Sequence, residues 1–139
     1  PQKDGEDAHF PYGQDQAYPG DNFDYHLIPF RDGVFPANTA SIMPYYGVPV
    51  GQTSENVGFA YNTEIISDLL QDSFQFKGVV CTDWGLITES KIKPPAAWGV
   101  EHLSEIERVE KILEAGCDMF GGESCVNYII ELVNSGRIR

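Results

Sequence analysis

The feature that most constrains this chain is an alternation of segment types that begins at Thr39 and continues to the last residues. "TASIMPYY" is a short β-prone run, and "YNTEIISDLLQDSF" after it places Ile65, Ile66, Leu69 and Leu70 on one helical face, with Asn62 or Thr63 as cap. "GVVCT" is a continuous apolar run, the pattern of a parallel strand buried on both faces. "SEIERVEKILEAG" follows with Ser104 and Glu107 at capping-box spacing and Gly116 as the stop. "CDMF" predicts a third strand and "SCVNYIIELVNSG" a third helix, with Val126, Ile129, Ile130 and Val133 inward and Gly136 ending it. Three strand-then-helix units in a row predict an α/β fold with a parallel sheet covered by helices.

Three such units do not satisfy a parallel sheet, which needs covered faces and paired edges. Two architectures compete: the last three units of an eight-stranded barrel, which takes about 250 residues in all, and a small open α/β domain. The chain has 139 residues, opens at Pro1 without a Met and closes on Arg139 with no tail, so a piece of a longer protein is the expectation.

Charge narrows the function classes. Nine Lys plus Arg against 21 Asp plus Glu give a net charge of −12, which repels phosphate backbones and anionic lipid surfaces, so neither nucleic acid nor a membrane is the expected partner. No apolar run approaches the roughly 18 residues that cross a bilayer. Cys81, Cys117 and Cys125 have neither zinc-site spacing nor an even count, and are read as buried reduced thiols. Residues 1–30 lack both periodicities and are rich in Gly, Pro, Asp and Gln, which predicts an irregular loop packed through Phe10, Tyr12, Tyr18 and Phe23. "YHLIPFRDGVF" then suits a helix with Pro29 in its first turn.

Asp83 stands where the apolar run Val79 to Thr82 stops. In parallel α/β architectures the ligand site lies at the carboxyl ends of the strands, although Asp also commonly starts a loop or caps a helix. Trp84 beside it offers a flat apolar face suited to a sugar ring, or a core indole, and Gly85 permits the bend that would present both side chains.

These residues carry a resemblance. "DLLQDSFQFKGVVCTDWG" resembles the segment of glycoside hydrolase family 3 in which a helix, an aromatic-rich turn and a "GxVxSDW" strand deliver the catalytic nucleophile. "TASIMPYYGVPV" is similar to that family's preceding strand, "ILEAGCDMFGGE" to its following one, and "PQKDGEDAHFPYG" to the loop after its Lys-His motif. The resemblance covers nearly the whole chain. It implies a partial TIM-like (β/α)8 barrel, with residues 1–139 as the C-terminal half of the family's N-terminal barrel domain and residues 1–30 as a substrate-side loop. It further implies a retaining, exo-acting β-glycosidase, most simply a β-glucosidase, acting on β-linked oligosaccharides or aryl and alkyl glycosides without cofactor or metal. Asp83 would be the nucleophile and Trp84 would line the first sugar subsite. Tyr46 would steer the carboxylate by a hydrogen bond; Tyr45 is the alternative, since successive strand residues face opposite ways.

The departures have consequences. Thr82 stands where the family usually has Ser. The family's Lys-His pair would lie upstream of Pro1 and its general acid/base, a carboxylate from a second domain, downstream of Arg139. The missing barrel strands and that domain are therefore expected partners of this segment, and the isolated chain is expected to be nearly inactive. Asp7, Ala8 and His9 resemble the Asp-Ser-His dyad of the family's β-N-acetylglucosaminidase branch, in which the His transfers the proton. Ala8 departs from that pattern, as does the presence of Trp84. Asp4, Glu6, Asp7, Asp15 and Asp21 lack calcium-loop spacing and are read as a solvated acidic face. Gly121 and Gly122 before the last helix suggest an anion site that Glu123 would oppose. Lys91, Lys93, Pro94 and Pro95 lie in a segment that would roof the site or run over the surface. A secreted or periplasmic location is compatible with all of this. The competing reading is a truncated barrel segment without catalysis.

Overall fold

The apolar run after Gly78 becomes the central strand, as its β-branched residues predict. The structure, a computed structural model, describes residues 3–89 and 94–139. In order come β1 (Asp15–Gln16), α1 (Phe23–Pro29), β2 (Ser41–Ile42), β3 (Val48–Pro49), β4 (Val79–Trp84), α2 (Glu105–Ala115), β5 (Met119–Gly121) and α3 (Val126–Asn134). A further helix, Glu64–Ser73, lies between β3 and β4. Strands β2, β4 and β5 form a parallel sheet in that order, while β1 pairs in parallel with β3. Each strand of the three-stranded sheet is followed by a helix. Sequential neighbours with helices packed on one face are the geometry of a partial (β/α)8 barrel, whereas a doubly wound sheet has helices on both.

The core lies between that sheet and the helices. Val80, Ile66, Val109, Ile112 and Leu132 are almost completely buried there. The expectation that β4 is buried on both faces is corrected: Val80 and Thr82 are fully buried, but Val79 is 44% exposed and Cys81 only half-buried. A closed barrel would cover that second face with its own opposite strands, and three strands do not close. Cys81 thereby departs from the buried-thiol reading, while Cys117 and Cys125 fit it. Burial pushes the Cys117 thiol up to about 12 and Cys125 up to about 11, which keeps both protonated.

Register at the end of β4 decides where the site forms. Cys81 pairs with Met119 and Trp84 with Gly121, so β4 carries one more residue than β5 over the same interval. Such a bulge removes a regular ladder bond and re-aims the side chains around it. The Thr82 hydroxyl compensates, accepting the Gly121 N–H at 2.9 Å in a fully buried position. Gly121 is obligatory beside it, since a Cβ there would lie 2.1 Å from the Thr82 carbonyl oxygen. Asp118 anchors the other end: its backbone N–H donates to the Val80 carbonyl at 2.9 Å and its carboxylate accepts the Val80 N–H at 2.8 Å.

The helices begin and end largely where local chemistry dictates. Glu107 accepts from the Ser104 N–H at 2.8 Å and the Ser104 hydroxyl at 2.6 Å, closing the predicted capping box of α2. Gly116 ends that helix at φ 106, a left-handed conformation that favours glycine. Ser67 and Gln71 of the neighbouring helix donate to the Ala115 and Gly116 carbonyls, which docks the two helices end to side. Asn62, rather than Thr63, accepts the Ile65 N–H through its side chain. The Glu64–Ser73 helix closes with an i→i+5 bond, Phe74 N–H to Leu69 carbonyl at 2.9 Å, a wider winding that leaves Ile65, Ile66 and Leu70 buried.

Three expectations change. The segment 1–30 is not wholly irregular: β1 pairs with β3, and α1 starts at Phe23. Pro29 is the last residue of α1 rather than part of its first turn; lacking an N–H, it ends the α-helical ladder and the chain continues as the π-helical turn Phe30–Val34. In α3 the inward face is that of Cys125 and Leu132, with Tyr128 and Ile129 half-buried, whereas Val126, Ile130 and Val133 are at least half exposed. The helix is apolar on two sides, so its period alone did not select the side that packs on α2.

If the Thr82 hydroxyl replaces the ladder bond at the bulge, Thr82→Val strands the buried Gly121 N–H and costs about 1–3 kcal/mol. Thr82→Ser retains the acceptor and loses less. Chemical denaturation of the full-length protein compares the two; equal losses would show that the hydroxyl is not what matters.

Candidate active site

The bulge presents Asp83 and Trp84 at the carboxyl end of β4, and β2 leads into the segment that meets them. Asp83 Oδ1 accepts the Trp84 N–H at 2.7 Å and the Tyr46 hydroxyl at 2.9 Å. The Tyr46 hydroxyl also lies 2.5 Å from the Trp84 carbonyl oxygen, so its one proton is shared between two acceptors. Among the described residues, Asp83 Oδ2 accepts no hydrogen bond. One carboxylate oxygen is thus fixed and the other carries available lone pairs, which is what attack by a carboxylate requires.

Tyr46 is only 2% exposed. Burial, and then its hydrogen bond to Asp83 and that group's charge, push the phenol well above the ordinary tyrosine value. It therefore stays a neutral donor. The structure selects Tyr46 over Tyr45: the latter is half-buried on the wall of an apolar cavity of about 380 Å³ between α1, β2 and the Glu64–Ser73 helix.

The Trp84 indole is 56% exposed and lies across Gly121 and Gly122, whose missing side chains make room for it. That disposes of the anion reading of the glycine pair. The Glu123 carboxylate is occupied as well, accepting the Thr88 N–H at 2.8 Å, the Ile87 N–H at 3.0 Å and the Thr88 hydroxyl at 3.0 Å.

Asp7 and His9 come to the same place. His9 Nδ1 is 2.6 Å from Asp7 Oδ1, and the His9 backbone N–H donates to that oxygen at 3.0 Å. The His9 ring packs on Tyr46 with centroids 4.7 Å apart. Ala8 between them is fully buried, and its carbonyl accepts the Trp98 indole N–H at 2.8 Å. Ala8 thus exposes no surface, while the Asp7 and His9 side chains on either side of it are about half exposed. Asp4, Glu6 and Asp21 are likewise exposed, and Asp15 belongs to β1.

Lys91 and Lys93 lie outside the described residues. The segment that follows them is not a plain surface connection: Pro95, Ala96, Ala97, Trp98 and Val100 are buried, and the Ala96 N–H donates to the Gly85 carbonyl at 2.8 Å.

Four supporting residues were not identified from sequence. Tyr61 donates to the Leu86 carbonyl at 2.6 Å, Arg108 to the Ile87 carbonyl at 3.0 Å and the Glu101 carbonyl at 2.9 Å, Glu123 accepts from Ile87 and Thr88, and Trp98 holds Ala8. Arg108 had a signal, since it falls four residues before Ile112 on the inward side of α2 and is 7% exposed. The others act on loop backbone, which no periodicity reports.

The family model described as the glycosyl hydrolase family 3 N terminal domain matches residues 3–139. The chain is similar to beta-glucosidase C of Emericella nidulans, 51% identical over 142 residues that cover 99% of this chain and 23% of that protein. It is also similar to the periplasmic beta-glucosidase/beta-xylosidase of Dickeya chrysanthemi, 33% identical over 154 residues, 98% of this chain and 23% of that protein. The chain therefore spans less than a quarter of the curated relatives it matches. Among solved structures, the beta-N-acetylhexosaminidase of Beutenbergia cavernae superposes with a TM-score of 0.65 at 24% identity, over 89% of this chain and 37% of that one, a likeness of fold.

Tyr46 and the buried Tyr61 both titrate above the ordinary value of 10.0, chiefly because burial disfavours the phenolate. A raised folded-state value stabilises the fold fully below the unfolded value, and that contribution is lost as pH rises above it. Denaturation of the full-length protein between about pH 9 and 11 is expected to show falling stability, with a shallower fall in Tyr46→Phe. Parallel slopes would contradict the buried, neutral Tyr46.

Proposed function

This chain belongs to glycosyl hydrolase family 3, and we propose that it carries the nucleophile half of a retaining, exo-acting β-glycosidase of the β-glucosidase type. The observation that supports this best is the Asp83 carboxylate, held through Oδ1 by Tyr46 and the Trp84 N–H, with Oδ2 available beside an exposed indole. The names of the curated relatives support the sugar class. In this reading residues 1–139 are the second half of the barrel domain, and the remaining strands and a second domain complete the site.

The chemistry proceeds in two displacements. Asp83 Oδ2 attacks the anomeric carbon and its lone pair forms the ester bond as the glycosidic C–O bond breaks; the leaving oxygen keeps the electron pair and takes a proton from the general acid. Water then attacks the same carbon, gives a proton to the now-ionised acid/base, and releases Asp83. Tyr46, neutral throughout, shares its proton between Asp83 and the Trp84 carbonyl, and can loosen its bond to Asp83 as the carboxylate loses charge in forming the ester. Trp84 binds the apolar face of the sugar ring.

A second reading concerns the proton donor. The Asp7 and His9 pairing at 2.6 Å, packed on Tyr46, supports a dyad of the β-N-acetylglucosaminidase type, with His9 Nε2 delivering the proton. Trp84 supports the first reading, in which a carboxylate from the second domain does so.

In the full-length protein a 2-deoxy-2-fluoroglucoside with a good leaving group is expected to label Asp83, and Asp83→Asn to abolish turnover. Label on another residue, or an active Asp83→Asn variant, would sink the nucleophile assignment. His9→Ala separates the two donors. If His9 is the acid, glycosides with poor leaving groups lose roughly 10²- to 10⁴-fold while activated aryl glycosides are largely spared; a uniform small loss leaves the role to the second domain.

A further inference from the structure

We propose that the turn formed by Gly121, Gly122 and Glu123 is the support that sets the orientation of Trp84, and so determines sugar affinity at the first subsite. The inference rests on the reading of Asp83 and Trp84 as a glycosidase site and assigns that site's positioning residues.

The steric part is specific. A Cβ on Gly122 would lie 1.7 Å from the indole Cδ1 and 1.8 Å from Nε1, and one on Gly121 would lie 3.0 Å from Cε3. The indole thus rests by one face on bare backbone. No other residue at 122 leaves the ring where it is. Gly122 also sits at φ 65, the left-handed region in which a Cβ is unfavourable. With one face on the glycines and the side chain 56% exposed, the opposite face is open as a flat apolar surface at the mouth of β4.

Glu123 fixes this support to the loop that follows Trp84. Its carboxylate accepts two backbone N–H groups and a hydroxyl from Ile87 and Thr88, at 2.8 to 3.0 Å. From the other side, Tyr61 holds the Leu86 carbonyl and Arg108 the Ile87 carbonyl. Residues 86–88 are therefore tied both to the core and to the turn beneath the indole. A charged acceptor with several donors is among the stronger hydrogen-bonded arrangements. Nothing in the proposed chemistry consumes Glu123, and its donors turn it toward the loop backbone, so it positions and does not react.

The test is a double-mutant cycle in the full-length enzyme. Misplacing a binding group by about 1 Å costs on the order of 10²-fold. Gly122→Ala, which forces the ring to swing, is expected to raise KM for an aryl glucoside roughly tenfold or more, with kcat changed far less. Trp84→Ala should raise KM similarly, and the double variant should be no worse than Trp84→Ala alone, because the added methyl acts only through the indole. Glu123→Ala should raise KM, and Glu123→Gln, which keeps one carbonyl acceptor, should recover part of the loss. Multiplying effects of Gly122→Ala and Trp84→Ala, or variants that lose only thermal stability with KM intact, would overturn the proposal. Failure of the underlying reading is separately visible: the fluoroglycoside would then not label Asp83 in the wild-type enzyme, whatever the cycle shows.

Discussion

The extra residue in β4 between Cys81 and Trp84 is the constraint on which the site depends. In a regular strand the side chains alternate, and Asp83 and Trp84 would be directed to opposite faces. The bulge breaks that rule at the strand's last turn, so that a carboxylate and an indole meet at the same mouth. Its cost is a broken ladder, which the Thr82 hydroxyl repairs by accepting the Gly121 N–H. The same requirement accounts for glycine at 121, where any side chain would strike the Thr82 carbonyl. A hydroxyl two positions before Trp84 thus has a structural role, holding the bulge that presents Asp83 and Trp84.

Around this point many polar groups are satisfied by side chains aimed at backbone. Tyr61, Arg108, Glu123 and Trp98 each engage main-chain groups of loops beside the site, and Tyr46 bridges the loop to Asp83 itself. Among the described residues, buried Arg108 has no carboxylate among its hydrogen-bond partners and uses three carbonyl oxygens instead. Such an arrangement makes the loops part of the scaffold. Among the described residues the groups that donate to Asp83, the Tyr46 hydroxyl and the Trp84 N–H, are both neutral.

The open surfaces are those that three βα units leave unfinished. The face of β4 bearing Val79 and the face of α3 bearing Val126, Ile130 and Val133 are apolar and exposed. Their exposure agrees with a chain that spans 23% of its curated relative from Emericella nidulans. In the proposed function the proton donor is likewise supplied by neighbouring structure, by the loop of Asp7 and His9 or by a second domain.

The sequence by itself determined the three strand-then-helix units after Thr39, though not the short strand β3 between the first strand and its helix, together with the capping box at Ser104, the stop at Gly116 and the residue pair Asp83 and Trp84, because each depends on neighbours within a turn or on a short period. Tertiary structure alone decided which face of α3 turns inward, since that helix is apolar on two sides, and which tyrosine meets Asp83, since one step of register exchanges Tyr45 for Tyr46. It also decided that α1 ends at Pro29 and continues as a π-helical turn, and that β1 pairs with β3 inside a segment with no period. The support beneath Trp84 belongs to the same class: Gly122 is separated from Trp84 by an intervening strand-connecting helix, and only the parallel pairing of β4 with β5 brings bare backbone under the ring.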